Sequence, residues 1–175
     1  RGPDWSGVVQ TDHAILAHER LAIVDVASGS QPLRDPENGN LLAVNGEIYN
    51  HRALKKGALK DCSFTTASDC EVILPLYAKH GADLVDHLEG MYAFVLHEPE
   101  SGKWLVGRDP IGIIPLYYGR DGDGHTWIAS EMKAIEDVCL EVQPFPPGHT
   151  MSDADMGPVK RYERDWMDWH TLPQN

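Results

Sequence analysis

Arg20 lies next to a run of apolar residues, where its positive charge needs a negatively charged partner. Arg20 opens an apolar stretch and is followed by Leu21, Ala22, Ile23 and Val24. A guanidinium among apolar residues is costly unless it binds an anion. That anion could be the carboxylate of a ligand, which a planar guanidinium binds through two parallel hydrogen bonds. From the spacing alone, a structural ion pair with Asp25 or another carboxylate is the favoured explanation.

A second segment, Asn45-Gly46, combines a side-chain amide with a backbone N–H that no side chain obstructs. Directed at one point, these two donors would form an oxyanion hole, which stabilises the negative charge that develops on a carbonyl oxygen. The simpler interpretation is a turn, because Asn-Gly is among the most common turn dipeptides. Taken alone, the dipeptide favours the turn.

Two carboxylates complete the group. Glu47 follows the Asn-Gly pair directly, and Asp69 stands at the predicted start of a helix, where the helix dipole alone would favour it. One cation and two carboxylates match the charges of a zwitterionic α-amino acid. Arg20 would bind its α-carboxylate and the two acids would bind its α-ammonium group. Asn45 and Gly46 would then face a carbonyl group of its side chain.

Short apolar runs bounded by turn residues indicate that strands position these groups. The predicted strands are 14–17, 21–24, 41–44, 91–96, 103–106, 113–118 and 126–129. Helices are expected from Asn50 to Leu59, from Ser68 to Gly81, and from Ser130 to Ile135, and Pro75 should kink the second of these or confine it to its early turns. Strands without regular helical crossovers predict an α+β fold with largely antiparallel sheet.

Composition restricts the function. The 175 residues carry 15 basic and 27 acidic side chains, a net charge of −12, and 42% of them are hydrophobic. An acidic surface of this kind does not suit nucleic acid or anionic lipid, and no apolar run is long enough to cross a membrane. Three cysteines are too few for a disulfide framework, so we expect a cytoplasmic protein.

Motifs for other chemistry are missing or weak. The sequence has no Gly-x-Gly-x-x-Gly, no Walker loop and no Gly-x-Ser-x-Gly, so neither nucleotide binding nor a serine hydrolase is indicated. Nine histidines show no metal-ligand spacing, and we expect no metal site. Asp121-Gly-Asp123-Gly resembles the start of a calcium loop but lacks the later ligands, which favours a hairpin turn.

Several motifs resemble one family closely. HERLAIVD, AVNGEIYNH, SDCEVILPLY, GMYAFVLHE, GRDPIGIIPLYYG and SEMKA are similar to the N-terminal glutaminase domains of glutamine-dependent asparagine synthetases. These domains are class II glutamine amidotransferases, which belong to the N-terminal-nucleophile hydrolases. The resemblance covers nearly the whole chain, from RGPDWSG to ERDW.

The resemblance implies an αββα sandwich, in which two antiparallel sheets lie between helical layers. It places the residues from Arg20 to Val24, those from Asn45 to Glu47, and Asp69 in a glutamine pocket. Asn45 and Gly46 would be its oxyanion hole. In the family an N-terminal cysteine attacks the side-chain amide of glutamine, with its own α-amine as the base, and releases ammonia. A second domain uses this ammonia, with ATP and Mg²⁺, to convert aspartate to asparagine.

The chain departs from the family pattern in two respects. It begins at Arg1, which the family places near the nucleophile, and it contains neither the N-terminal cysteine nor an ATP domain. Cys62, Cys70 and Cys139 are not terminal and cannot replace the nucleophile. We therefore expect a fragment of a longer enzyme, inactive alone, that needs no cofactor in this domain.

The resemblance suggests a glutaminase domain at 1–150. A final strand and linker at 151–175 would lead toward the synthetase domain, and the aromatic tail beyond Arg161 would pack between the two. The expected partners are glutamine and that synthetase domain, with a homodimer as one assembly. Two alternatives remain. One is a binding or scaffold module without a nucleophile, and the other is a class II amidotransferase of the purine or glucosamine-phosphate type.

Overall fold

The computed structural model describes residues 5–20, 30–155 and 160–161, with the backbone alone at Arg20, Lys160 and Arg161. The strands are β1 Trp5–Gln10, β2 Ile15–Arg20, β3 Leu33–Arg34, β4 Leu41–Ile48, β5 Gly90–His97, β6 Trp104–Arg108, β7 Tyr117–Arg120, β8 Thr126–Ala129, β9 Glu141–Pro144, β10 His149–Ser152 and β11 Lys160–Arg161. The α-helices are α1 His51–Lys56 and α2 Ile73–His80. Short 3₁₀ segments cover Cys70–Val72, Gly81–His87, Met132–Ala134 and Asp153–Asp155.

The largest sheet has six strands in the order β11-β10-β6-β5-β4-β3, and all its paired neighbours are antiparallel. At its centre β4 pairs with β5 over its whole length, from Leu41 opposite His97 to Ile48 opposite Gly90. The short strand β3 covers only the first two residues of β4 on the other side. The rest of that edge of β4 is therefore not paired with any described strand.

The two faces of this sheet have different neighbours. Side chains of β4 and β5 that include Val44, Ile48 and Phe94 pack with the buried residues of α2 in one apolar core. On the opposite face Ala93 and Val106 pack with Phe145 in a second core. This alternation follows from the two-residue period of a strand. It places Asn45 and Glu47 on the face of the second core.

Two smaller sheets complete the described structure. One has three strands in the order β8-β7-β9, and the other is the β1-β2 hairpin. Residues 121–125 connect β7 to β8 as a hairpin, which confirms the turn predicted for Asp121-Gly-Asp123-Gly. Antiparallel sheets with few helices agree with the α+β class. Within the described ranges no helix has both the length and the apolar character needed to cross a bilayer.

Two local expectations are wrong. The Asn45-Gly46 dipeptide is not a turn, because β4 continues through it to Ile48. The strand expected at 113–118 is reduced to β7, which begins at Tyr117. At the start of that segment, backbone groups of Ile113 and Ile114 bind the side chains of Arg108 and Asp109 instead of a neighbouring strand.

The helix expectations are confirmed with shifts in their ends. Asn50 precedes α1, although its side chain does not cap the helix and instead contacts the backbone of His87 and Glu89. The second helix begins with a 3₁₀ turn before α2. Pro75 is the third residue of α2, where a missing N–H costs no intrahelical hydrogen bond. The last helix is the 3₁₀ segment Met132–Ala134.

Candidate active site

Strand β4 holds Asn45 and Glu47 side by side on one face of the sheet, because they are two residues apart. Both side chains are half-buried. The amide of Asn45 makes no hydrogen bond to any described residue, although it lies opposite the buried Ala93 on β5. The strand thus presents an uncommitted amide donor beside a carboxylate.

Gly46, between them, occupies a position that excludes every other residue type. Its φ angle is +139°, in a region that residues with a side chain rarely adopt. A Cβ atom added there would lie 2.0 Å from the carbonyl oxygen of Met91 and 2.7 Å from the Cα of Tyr92. The close approach of β5 therefore explains why glycine follows Asn45.

Side chains replace a neighbouring strand along the free edge of β4. The carboxamide of Gln31 bonds both backbone groups of Val44, with Oε1 2.7 Å from the N–H and Nε2 2.9 Å from the carbonyl oxygen. The carboxylate of Asp69 accepts the N–H of Ile48 at 2.6 Å. This edge is therefore fixed on both sides of Gly46.

The backbone of Gly46 points toward the same edge. Its partner across the sheet, Tyr92, directs both backbone groups away from β4 and toward Asp109, so the pair exchanges no hydrogen bonds. The Sγ of Cys70 lies 3.6 Å from the carbonyl oxygen of Gly46. Its N–H has no side-chain acceptor in the described parts of the chain. It is an open donor between two clamped neighbours, which is what an oxyanion hole requires.

Asp69 is 5% exposed and binds the strand rather than its own helix. Its Oδ2 accepts the Ile48 N–H and also lies 3.7 Å from the Sγ of Cys70. Its Oδ1 accepts no hydrogen bond from the residues that the structure describes. One oxygen thus orients the carboxylate, and the other is left for a cationic group. No side-chain cap bond forms between Asp69 and the helix that follows it.

Cys70 is a hydrogen-bond donor in this site rather than a nucleophile. Burial raises the pKa of its thiol well above the ordinary value, and the charge of Asp69, the hydrogen bond to it and the charge of Glu47 raise the pKa further. A protonated thiol is a poor nucleophile.

The predicted carboxylate-binding segment is only partly described. The backbone of Arg20 ends β2, opposite Trp5, and its side chain is not described. Leu21, Ala22, Ile23 and Val24 lie outside the described residues. The structure therefore brings together Asn45, Gly46, Glu47 and Asp69, and the role of the Arg20 segment stays a prediction.

Sequence reasoning missed the residues that hold the neighbouring loop 110–114. Asp109 is buried, and its carboxylate accepts the backbone N–H groups of four successive loop residues at 2.6–3.3 Å, namely Ile111, Gly112, Ile113 and Ile114. Arg108 donates to the carbonyl oxygens of Gly112 and Ile114 at 2.8 and 2.6 Å, and to that of Phe145. The adjacent acid and base in the GRDPIGI segment could have signalled this arrangement.

Outside this site, three neighbouring side chains are of the types that bind metal ions. Asp121, Asp123 and His125 carry ligand atoms within 4.8 Å of one another. The oxygens of Asp121 already accept the N–H groups of Asp123 and His125, the ring Nδ1–H of His125 and the indole N–H of Trp127. These donors hold the pKa of Asp121 below its usual range, the Trp127 bond most strongly. These hydrogen bonds explain why the three side chains lie close together: they stabilise the hairpin turn between β7 and β8.

Comparison with known proteins gives concordant matches. A family model described as a glutamine amidotransferase domain matches residues 1–156. Asparagine synthetase B (glutamine-hydrolyzing) of Escherichia coli K12 is 50% identical over 175 residues, which is 100% of this chain and 32% of that protein. Asparagine synthetase 3 (glutamine-hydrolyzing) of Arabidopsis thaliana is 51% identical over 166 residues, covering 95% of this chain and 28% of that protein. The chain thus spans about a third of the length of these curated relatives.

Solved structures match as well. Glutamine phosphoribosylpyrophosphate amidotransferase from B. subtilis, in complex with ADP and GMP, superposes with a TM-score of 0.69 at 27% identity. The match covers 86% of this chain and 35% of that one. The structure of an allosteric regulatory enzyme of purine biosynthesis superposes with a TM-score of 0.67 at 28% identity, and the match covers 83% of this chain and 34% of that one. This likeness confirms the predicted αββα type of fold.

The family match extends over nearly the whole chain and includes the strand that carries Asn45 and Gly46. The uncommitted donors on that strand and the half-committed carboxylate of Asp69 agree with a domain that handles an amino-acid amide. The chain belongs to the glutamine amidotransferase domain family.

Proposed function

We propose that this chain is the glutamine-binding part of a glutamine-hydrolysing asparagine synthetase, in which it supplies ammonia for the ATP-dependent conversion of aspartate to asparagine. The observation that carries the proposal is the open N–H of Gly46 beside the uncommitted amide of Asn45. Identities of about 50% to asparagine synthetases, against 27–28% to the purine-type enzymes, favour the asparagine type.

In this proposal the α-ammonium of glutamine binds Glu47 and the free Oδ1 of Asp69, and Arg20 binds its α-carboxylate. The side-chain amide then lies with its carbonyl oxygen toward Asn45 and Gly46. The thiolate of an N-terminal cysteine in the full-length protein attacks the amide carbon. The oxygen gains negative charge, which the two donors stabilise most strongly at this stage.

Collapse of this adduct expels ammonia, after its nitrogen takes up a proton, and leaves a thioester. Water then hydrolyses the thioester to glutamate and regenerates the thiol. Cys70 takes no covalent part, because its thiol stays protonated and serves as a donor within the pocket wall. ATP and Mg²⁺ are assigned to the remainder of the protein, and no residue of this chain is proposed to bind them.

The proposal extends to organisation and location. A glutaminase domain at 1–150, followed by a final strand and linker at 151–175, would join the synthetase domain. Support comes from β11, which still pairs with β10 at the edge of the main sheet. The protein would act in the cytoplasm with glutamine and the synthetase domain as partners, as a monomer or homodimer, and without nucleic acid or membrane.

The test uses the full-length protein. It should release ammonia from glutamine and form asparagine from aspartate and ATP with either glutamine or free ammonia. An electrophilic glutamine analogue should abolish only the glutamine-dependent reaction and should label an N-terminal cysteine, as mapped by mass spectrometry. Glutamine binding without ammonia release would instead support the scaffold alternative. Labelling of Cys62, Cys70 or Cys139 would contradict the assigned nucleophile.

A further inference from the structure

We propose that Gln31 is a positioning residue for the oxyanion hole. Its carboxamide substitutes for a missing strand beside Val44 and thereby fixes the backbone that directs the N–H of Gly46. The inference rests on the proposed function, because it assigns Gln31 to the same glutaminase site.

The geometry at Gln31 reproduces an antiparallel strand pair with one side chain. Its Oε1 and Nε2 bond the N–H and the carbonyl oxygen of Val44 at 2.7 and 2.9 Å, so that donor and acceptor are both matched. The side chain is 9% exposed, which keeps water from competing for these bonds. The ring Nε2 of His18 lies 3.0 Å from the same carbonyl oxygen, which can only accept, so this nitrogen is the donor.

The backbone of Gln31 is in turn packed against strand β1. Gly7 of β1 approaches its backbone so closely that a Cβ on Gly7 would lie 2.1 Å from the carbonyl oxygen of Gln31. A side chain at position 7 would force the two segments apart. The backbone of Gln31 is therefore held against β1, which limits how far its side chain can move away from Val44.

The need for a clamp follows from the glycine. A glycine backbone is more flexible than any other, and an oxyanion donor must keep its direction through the reaction. On the C-terminal side of Gly46, Asp69 holds the N–H of Ile48 at 2.6 Å. On the N-terminal side, β3 ends its pairing at Leu42, and beyond it Val44 is held by two bonds from Gln31 and by one from the ring of His18. Loss of Gln31 would leave the N–H of Val44 without its acceptor and its carbonyl oxygen with His18 alone, so this side of the hole would be less firmly anchored.

Two variants of the full-length protein separate positioning from folding. Gln31→Met keeps the size of the side chain but removes both hydrogen bonds. Gln31→Asn keeps the carboxamide but shortens its reach by one methylene group. In both we expect the kcat of glutamine hydrolysis to fall about 10- to 100-fold, as small displacements of catalytic groups do. The KM for glutamine should change less than about threefold, because the donors act mainly in the transition state. Ammonia-dependent synthesis should be unchanged.

A matched control removes a similar contact far from the site. Asp153 accepts the backbone N–H of Trp104 on β6 at 3.2 Å, so Asp153→Ala also frees a strand backbone group. It should leave the kcat for glutamine unchanged. As a second measurement, hydrogen exchange of the peptide that spans residues 41–48 should accelerate in the Gln31 variants and not in Asp153→Ala.

Each failure has its own signature. A wild-type protein that hydrolyses no glutamine would refute the proposed function. An active wild type whose Gln31 variants keep their kcat, with faster exchange in β4, would overturn the positioning role. Equal losses of glutamine- and ammonia-dependent activity, or an equal loss in Asp153→Ala, would show that Gln31 only stabilises the fold.

Discussion

The carboxylate of Asp69 binds the backbone N–H of Ile48 at 2.6 Å, although the two residues are 21 positions apart in the sequence. This bond fastens the turn before α2 to the strand that carries Asn45 and Gly46. Because it uses Oδ2, it also fixes the direction of Oδ1. A single contact therefore sets both the end of the strand and the orientation of a candidate ligand group.

Replacement of Asp69 by asparagine in the full-length protein should raise the KM for glutamine about tenfold or more, because a neutral amide replaces the anion that would face the α-ammonium. A glutamine analogue without the α-amine should bind as before. The measurement is steady-state glutaminase kinetics together with calorimetric binding of the analogue.

Glu71→Gln provides the control for Asp69→Asn. Glu71 is also buried, but its oxygens accept the N–H and hydroxyl groups of Thr65 and Thr66. Its loss should lower the free energy of unfolding and leave the KM unchanged. Equal changes in KM in Asp69→Asn and Glu71→Gln would show that Asp69 has a purely structural role.

Replacement of Asn45 by alanine should lower the kcat for glutamine about 10²-fold, as the loss of one oxyanion donor does in other enzymes. Ammonia-dependent synthesis should survive, because free ammonia bypasses the glutaminase site. Asn50→Ala is the matched control, since the side chain of Asn50 binds the backbone of His87 and Glu89. If both activities of Asn45→Ala fall together, Asn45 is needed for folding instead.

Three glycines should respond to alanine in a fixed order. Gly46→Ala should lower the free energy of unfolding by about 3 kcal/mol or more, because the new methyl group meets the backbone of β5 and φ is positive. Gly81 has φ of +57° but open space, so its alanine variant should lose about 1 kcal/mol. Gly122→Ala meets nothing and should be within about 0.5 kcal/mol of wild type. Urea denaturation measures all three, and a neutral Gly46→Ala would contradict the close packing of β4 and β5.

Stability should fall as the pH rises above neutrality. Burial raises the pKa of Cys70, and burial with the hydrogen bond to Glu98 raises the pKa of Tyr77. In the unfolded chain these groups lose their protons from about pH 8.5 and 10, while the native state keeps them. The native state then binds more protons, so the free energy of unfolding decreases with pH.

Urea denaturation at pH 7 to 10.5 measures this decrease. Cys70→Ala should flatten the curve from about pH 8.5, and Tyr77→Phe should flatten it near pH 10. The exposed Tyr49 offers a control, since Tyr49→Phe should leave the curve as in wild type. A wild-type stability that does not change over this range would contradict the prediction.

The sequence was informative about types of residues and less so about how they are held. Asn45 and Gly46 were recognisable as donors, but a turn could not be rejected, because the pairing with β5 and the clamp by Gln31 are long-range contacts. Nothing in the local sequence distinguishes Gln31 from a polar loop residue. Its role follows only from where the fold places Val44.

The expected strand at 113–118 fails for a related reason. Its apolar residues have the right composition, but Asp109 accepts the N–H groups of Ile113 and Ile114 at its start, and the strand begins only at Tyr117. Patterns of apolar residues predict which segments are buried in this chain. They do not predict when one charged side chain takes over the hydrogen bonds of a whole loop.

The same arrangement at Arg108 and Asp109 separates the path of the loop from the identity of its exposed side chains. Since these two side chains bind the backbone of residues 110–114, the path of the loop hardly depends on which side chains it carries. Ile111 and Ile113 point outward from it. Substitutions of these two exposed side chains should therefore change the surface of the domain without altering the path of the loop.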